Sequence, residues 1–169
     1  MTEKIINPMR RIKIEKVIFK IGGLGDELEK GLKLIELLTG RKACKTKARK
    51  RVPAFGTRPG LEIGAIVTIR KNPIEILKKM LVAKDNLLKK KQISKNQFSF
   101  GIKEYIEIPG IEYQREIGIR GFDVNVVFKR AGKKVKIKKV KKGKIPKRQH
   151  ISKEEIIKFM EENFQTKFI

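Results

Sequence analysis

Side chains able to do covalent chemistry are scarce in this sequence. There is one histidine, His150, and one cysteine, Cys44, and nothing around either supplies a nucleophile–base pair. Glu104, Glu107 and Glu112 bring carboxylates without a matching base, so they read as solvated surface. A single thiol permits neither an intrachain disulfide nor a thiolate cage for a metal. The turn IGGLGD, residues 21–26, lies between a strand pattern and a helix pattern, where helix amides can face an anion. It fails as a nucleotide site: Leu28 stands where the dinucleotide fingerprint needs its third glycine, and no Gly-Lys-Ser/Thr follows. The expectation is therefore a protein that is not an enzyme, with no catalytic residue, metal, cofactor or small-molecule substrate.

Noncovalent chemistry is abundant. The chain has 169 residues and a net charge of +25, with a pI near 10.3. Residues 41–58 hold eight Lys/Arg and no acid, and residues 129–148 hold twelve Lys/Arg and no acid. The remaining 23 cations face 18 acids, about +5, an ordinary value for a soluble domain. The excess is thus confined to two segments, a basic loop at 41–60 and a basic tail at 129–148. Like charges so concentrated destabilise a compact chain unless a polyanion compensates them.

Within the loop, TKARKRVPAFGTRPG (46–60) interleaves Phe55 with Arg49, Arg51 and Arg58, and Pro53 and Pro59 stiffen it. Guanidinium forks suit bidentate phosphate contact and an aromatic ring suits base stacking. In the tail, Val135, Ile137 and Val140 interrupt the lysines and GKIPKR adds a bend, so ordering on a partner is expected. RNA is favoured over DNA because no helix-turn-helix, zinc or basic-zipper pattern is present. A membrane is not expected: no apolar run approaches the ~20 residues of a spanning helix, and MTEKIINPMRR has no apolar leader segment. A cytoplasmic protein is the default. The stretch RGFDVNVVF (120–128) begins like an RNA-recognition-motif signature. It departs at Asp123, Val124, Asn125 and Val127, so Phe122 and Phe128 read as core.

The elements that must position these groups follow from periodicity. RIKIEKVIFKI (11–21) alternates as a strand with a parity slip near Glu15 and Lys16, predicting a bulge. A helix is expected from Asp26 to Thr39, with Leu28, Leu32, Ile35 and Leu38 as its buried stripe, stopped by Gly40. Gly31 in its middle predicts close approach to a neighbour. A strand follows over 61–69. Asn72, Pro73 and Glu75 then predict a capped helix carried by Ile76, Leu77, Met80, Leu81, Leu87 and Leu88 to about Lys90. Phe98, Phe100 and Ile102 mark a strand, and 103–116 an excursion turning at Pro109–Gly110. A second parity slip at Arg120 and Gly121 precedes the strand of Phe122, Val124, Val126 and Phe128. Ser152 and Glu155 predict a capping box, with Ile151 and Ile156 as its staple, for a terminal helix over 152–164. The fold class is α+β: a split β-α-β core with a mostly antiparallel sheet. Helices cover one face and the other stays open to RNA, with the basic tail and C-terminal helix appended to a single domain over 1–169.

Taken alone, the residues leave open a non-ribosomal RNA chaperone or nucleic-acid-binding module. Four stretches narrow the choice. NPMRRIKIEKVIFKIG, TGRKACKTKARKRVPAFGTRPGLEIG, FSFGIKEYIEIPGIEYQREIGIRGFDVNVVF and KIPKRQHISKEEIIKF, in this order and spacing over residues 6–168, resemble the 5S-rRNA-binding family of large-subunit ribosomal proteins, universal ribosomal protein five, in its archaeal branch. The resemblance implies a cytoplasmic structural protein of the central protuberance. Its partners would be 5S rRNA, large-subunit rRNA, peptidyl-site tRNA and a small-subunit head protein. It maps the 5S rRNA surface onto Asn7, Met9, Arg10, Arg11 and Lys13, and onto the strand beginning at Lys45, Thr46 and Lys47. It also maps the tRNA-facing loop onto Ala48–Arg58, with Arg49, Lys50, Arg51, Phe55, Gly56 and Arg58 as contacts. The basic tail adds Lys133, Lys134, Lys147 and Arg148 as rRNA contacts.

Overall fold

The computed structural model describes residues 7–169; residues 1–6 of the single domain expected over 1–169 lie outside the described part. The first strand, β1 (Lys13–Gly22), buries Val17, Phe19 and Ile21. Its parity slip is a β-bulge: the register against the last long strand shifts between Ile14 and Lys16, and Glu15 is the extra residue. Helix α1 (Asp26–Thr39) opens with Asp26, Glu27 and Glu29 in its first turn, where carboxylates suit the positive end of the helix dipole. It ends at left-handed Gly40, whose N–H donates to the Glu36 carbonyl at 2.8 Å. Gly31 is the point of contact with the sheet, since a Cβ there would lie 2.8 Å from Ile21 Cγ2. Resting on this glycine, the helix buries Leu28, Leu34 and Ile35, while Leu32 and Leu38 of the expected stripe are only half-buried.

Strands β2 (Cys44–Lys47) and β3 (Glu62–Ile69) follow, then α2 (Pro73–Val82). Two expectations fail here. Asn72 sits at φ 48°, ψ 50° with no side-chain cap bond; a capping side chain reaches the first-turn amides from extended backbone, so no box with Glu75 forms. The helix also stops at Val82, well short of Lys90, because Asp85 and Asn86 both turn left-handed. Leu87 and Leu88 then form a short strand, β4, instead of a last helical turn.

Strands β5 (Ile93–Ser94), β6 (Gln97–Ile102) and β7 (Phe122–Lys129) complete the sheet. Residues 103–121 form an excursion without long strands. Ile117 is buried and Ile119 exposed, so the second parity slip is the end of this excursion and not a bulge. Helix α3 (Lys134–Ile137) lies within the basic tail. Helix α4 (Lys153–Phe164) starts with the expected Ser152–Glu155 capping box, and Ile151 and Ile156 are fully buried beside it. Strand β8 (Lys167–Phe168) pairs parallel with β4.

The six-stranded sheet runs β2-β3-β1-β7-β6-β5 with every pair antiparallel. β3 lies between β1 and β2, the two strands that α1 connects, and β1 lies between β3 and β7. This is the split β-α-β arrangement, and the α+β class holds. One sheet face carries Val67, Phe19, Val124 and Phe100 into the core beneath the helices. Helix α4 closes the far end through the edge of Phe159 on Phe128, centroids 5.7 Å apart. Lys16, Ile18, Lys20, Thr68, Asn125 and Ser99 line the opposite, uncovered face. Among the described residues, no helix is long and apolar enough to cross a membrane.

Candidate nucleic-acid interface

The loop between β2 and β3 is a finger with its own backbone frame. At its neck the Ala48 N–H donates to the Leu61 carbonyl at 2.8 Å, and the Gly60 N–H to the Ala48 carbonyl at 2.9 Å. Further out, Val52 and Thr57 exchange two 3.2 Å bonds across the loop. They enclose a turn at Pro53–Phe55 that closes on left-handed Gly56, whose N–H donates to the Pro53 carbonyl. Glycine serves here because a side chain would be strained at φ 59°. The loop therefore does not rely on a polyanion for its shape, although its charge does call for one. Ala48 is tucked in at 7% exposure and Phe55 stands out at 73%. Arg49, Lys50, Arg51 and Arg58 are exposed, and among the described residues none forms an ion pair.

Below the finger, the three β2 residues differ in availability. Lys45 pairs with Glu62 at 2.9 Å, and this bond and the charge behind it, helped by Glu29, raise the ammonium above its ordinary value. The Thr46 hydroxyl donates to the Gly64 carbonyl at 3.0 Å. Lys47 is exposed and outside any ion pair among the described residues.

A second cationic surface assembles at the opposite end of the sheet. The Asn7 side chain accepts from the Met9 N–H at 3.0 Å and starts a 3-10 turn over Pro8–Arg10. This turn presents Met9, Arg10 and Arg11 outward, with Lys13 following. Lys13 faces Lys129 across the β1–β7 ladder, and Met9 Cε lies near Gly132 of the tail. Lys133 is ion-paired with the bulge residue Glu15. The tail returns to the body at Lys147–Gln149. There the Arg148 carbonyl accepts from Arg130 Nη1 at 3.2 Å, and Gln149 Nε2 donates to the Ala131 carbonyl at 3.0 Å. Arg130 Nη2 holds Glu155 at 2.5 Å. Burial pushes the Glu155 carboxyl up, but the Ser152 N–H and the Arg130 guanidinium outweigh it and hold the group below its usual range.

Asn7, Met9, Arg10, Arg11, Lys13, Lys133, Lys134, Lys147 and Arg148 are thus gathered at one end. Lys45, Thr46, Lys47 and the finger belong to the other. Thr46 faces Gly64, which faces Gly22 at the far end of β1 from Lys13, and ten strand residues span about 30 Å.

Arg130, which the motifs do not single out, ties the returning tail to the α4 cap. Its signal was nonetheless legible: Arg130 and Arg148 are the two arginines of a lysine-dominated segment and bracket it. The residues weighed for covalent chemistry stay apart. Asn96 Nδ2 engages His150 Nδ1 at 2.8 Å beside the tail, whereas Cys44 is an exposed thiol at the other end of the sheet. Phe122 and Phe128 are core residues at 4% and 1% exposure, so neither stacks on the uncovered face. Among the described residues no cluster suits a metal ion.

Comparison with known proteins decides what this arrangement belongs to. The family described as "Ribosomal protein L5" matches residues 7–58, and the family of its C-terminal part, the ribosomal L5 C-terminus, matches residues 62–159. The chain belongs to the ribosomal protein L5 family. The large ribosomal subunit protein uL5 of Nanoarchaeum equitans is 42% identical over 96% of this chain and 99% of the relative. That of Picrophilus torridus is 41% identical over 100% of this chain and 99% of the relative. That of Sulfolobus acidocaldarius is 43% identical over 94% and 91%. As an L5-family member the chain is a structural, RNA-binding protein of the large ribosomal subunit and not an enzyme. The non-ribosomal alternative is set aside.

Proposed function

We propose that this L5-family protein works in the cytoplasm by fastening 5S rRNA to the large-subunit rRNA in the central protuberance. In the same position it offers its finger to peptidyl-site tRNA and contacts a small-subunit head protein. The observation that carries this reading is the pair of cationic surfaces about 30 Å apart on one rigid sheet, each with more cations than its local acids neutralise. The rRNA end uses Asn7, Met9, Arg10, Arg11, Lys13, Lys133, Lys134, Lys147 and Arg148, with Lys47 and Thr46 as outlying contacts. Lys45 contributes less, because Glu62 already compensates it. The finger uses Phe55 to stack and Arg49, Lys50, Arg51 and Arg58 to meet phosphates, with Gly56 shaping the tip. The excursion at 103–116 suits a protein instead of RNA: it carries four glutamates against Lys103 and Arg115, and exposes Tyr113 over buried Tyr105 and Ile108.

Filter binding of the purified protein to 5S rRNA, tRNA and a random RNA of equal length tests the first claim. Preference for 5S rRNA is expected at physiological salt. Affinity should fall about 10³–10⁵-fold between 50 and 200 mM salt if ~6–10 phosphates are contacted. Equal affinity for all three RNAs refutes specific 5S binding.

A further inference from the structure

We propose that the basic tail encloses a binding site for a single phosphate group, centred on Arg130. The tail leaves β7, folds over the sheet end and returns, leaving a cavity of about 110 Å³ at its base. A water's share of liquid volume is about 30 Å³, so the space has the size of one tetrahedral oxyanion and is far below the ~300 Å³ at which small-molecule pockets begin.

Lys129, Arg130, Lys133 and Lys136 line it. Glu155 is paired with Arg130 and Glu15 with Lys133, which leaves Lys129 and Lys136 without an acid partner among the described residues. Four cations against two carboxylates leave a surplus of about +2 around the space, enough to meet the single charge of an RNA phosphodiester or the roughly −1.5 to −2 of inorganic phosphate.

The independent sign of a ligand is Arg130 itself. It is 8% exposed, and its Nε–H is a buried donor with no partner among the described residues, although both terminal nitrogens are bonded. A buried unpaired donor is costly, and an anion in the cavity that Arg130 lines would satisfy it once a small shift of the guanidinium turns Nε toward the space. His150 adds a second donor. Asn96 Oδ1 accepts from the Ile151 N–H at 2.7 Å, so Asn96 Nδ2 donates to His150 Nδ1, and the proton sits on Nε2 of a ring that lines the cavity. A phosphate group bound there would accept from Arg130 Nε and His150 Nε2, with Lys129 and Lys136 supplying charge. Its source is a backbone phosphate of bound RNA or free inorganic phosphate; the first of these rests on the RNA-binding reading above.

Because His150 is the only histidine, its ring signals in an NMR spectrum of the full-length protein report on this cavity alone. Inorganic phosphate added at constant ionic strength should shift them along a saturable curve that chloride does not reproduce. Lys129→Gln with Lys136→Gln should weaken phosphate about tenfold or more, and Lys141→Gln with Lys142→Gln, an equal loss of charge outside the cavity, should weaken it much less. With 5S rRNA present, loss of the phosphate response marks an RNA phosphate as occupant, and a preserved response marks free phosphate. If neither phosphate nor RNA moves the His150 signals, or the two double variants behave alike, the site does not exist. Failure of 5S rRNA to bind while phosphate still titrates would overturn the RNA reading and leave this one standing.

Discussion

At the scale of single residues, Phe55 is where composition and geometry agree most closely. A phenylalanine normally stabilises a fold by burying its ring, yet this one is 73% exposed at the tip of a hydrogen-bonded finger. Its removal should scarcely affect stability, because surface changes away from packing or capping usually stay within about 0.5 kcal/mol. Stacking on a nucleobase is worth about 1–3 kcal/mol. Phe55→Ala should therefore leave the melting temperature unchanged and weaken peptidyl-site tRNA retention on ribosomes carrying the variant by roughly 5–150-fold. A melting temperature that falls with tRNA retention intact would make Phe55 a structural residue. The sequence made this ring conspicuous because acid-free cationic neighbours surround it. It could not show that Lys45 is compensated by Glu62, since that pair depends on the register of β2 on β3, which no local pattern encodes.

At the scale of elements, short-range signals were legible and long-range pairings were not. The bulge in β1, the bounds of α1 and the Ser152–Glu155 box each depend on neighbours within a few residues. The end of α2 does not. Leu87 and Leu88 have helical spacing with Met80 and Leu81, but they pair with Lys167 and Phe168 from the other end of the chain. The tail shows the same limit. Its composition predicts ordering on a partner, whereas Arg130 and Gln149 already close its base. Glu155 is the hinge of that closure, joining the α4 cap to Arg130.

A carboxyl held below its ordinary range contributes stability that is present above the unfolded value, about 4.3, and is lost as pH falls through the lower folded value. Glu155→Gln at pH 7 removes the partner of a buried guanidinium. Discounted for the exposed half of the pair, this should cost about 1–2 kcal/mol, or roughly 2–8 °C in melting temperature. The gap between variant and parent should narrow as pH drops below about 4. Thermal melts across pH 3–7 measure it; a gap that stays constant with pH would mean that the ionised Glu155 carboxylate does not stabilise the closure.

At the scale of the whole molecule, the sheet is a spacer that holds two cationic ends about 30 Å apart, with Lys16 and Lys20 on the uncovered face between them. Composition revealed two basic segments, but not that the tail shares its end with the N-terminal turn while the finger stands at the other. Only strand order places Lys13 against Lys129 and Thr46 beyond Gly22. Sites this far apart with no shared partner should act additively, within about 0.5 kcal/mol. Charge reversal therefore offers a test of the division of labour. Arg10→Glu with Arg11→Glu should weaken 5S rRNA binding and flatten its salt dependence by about one unit of slope for each phosphate no longer neutralised, leaving the finger's hold on tRNA in place. Arg51→Glu with Arg58→Glu should do the converse, sparing 5S rRNA while weakening tRNA positioning. The four substitutions together should give the sum of the two losses in free energy. If the finger pair abolishes 5S rRNA binding in a folded protein, the finger belongs to the rRNA surface and the two ends do not divide the RNAs between them. If the combined effect departs from the sum by well over 0.5 kcal/mol, the sheet transmits strain between its ends and is more than a spacer.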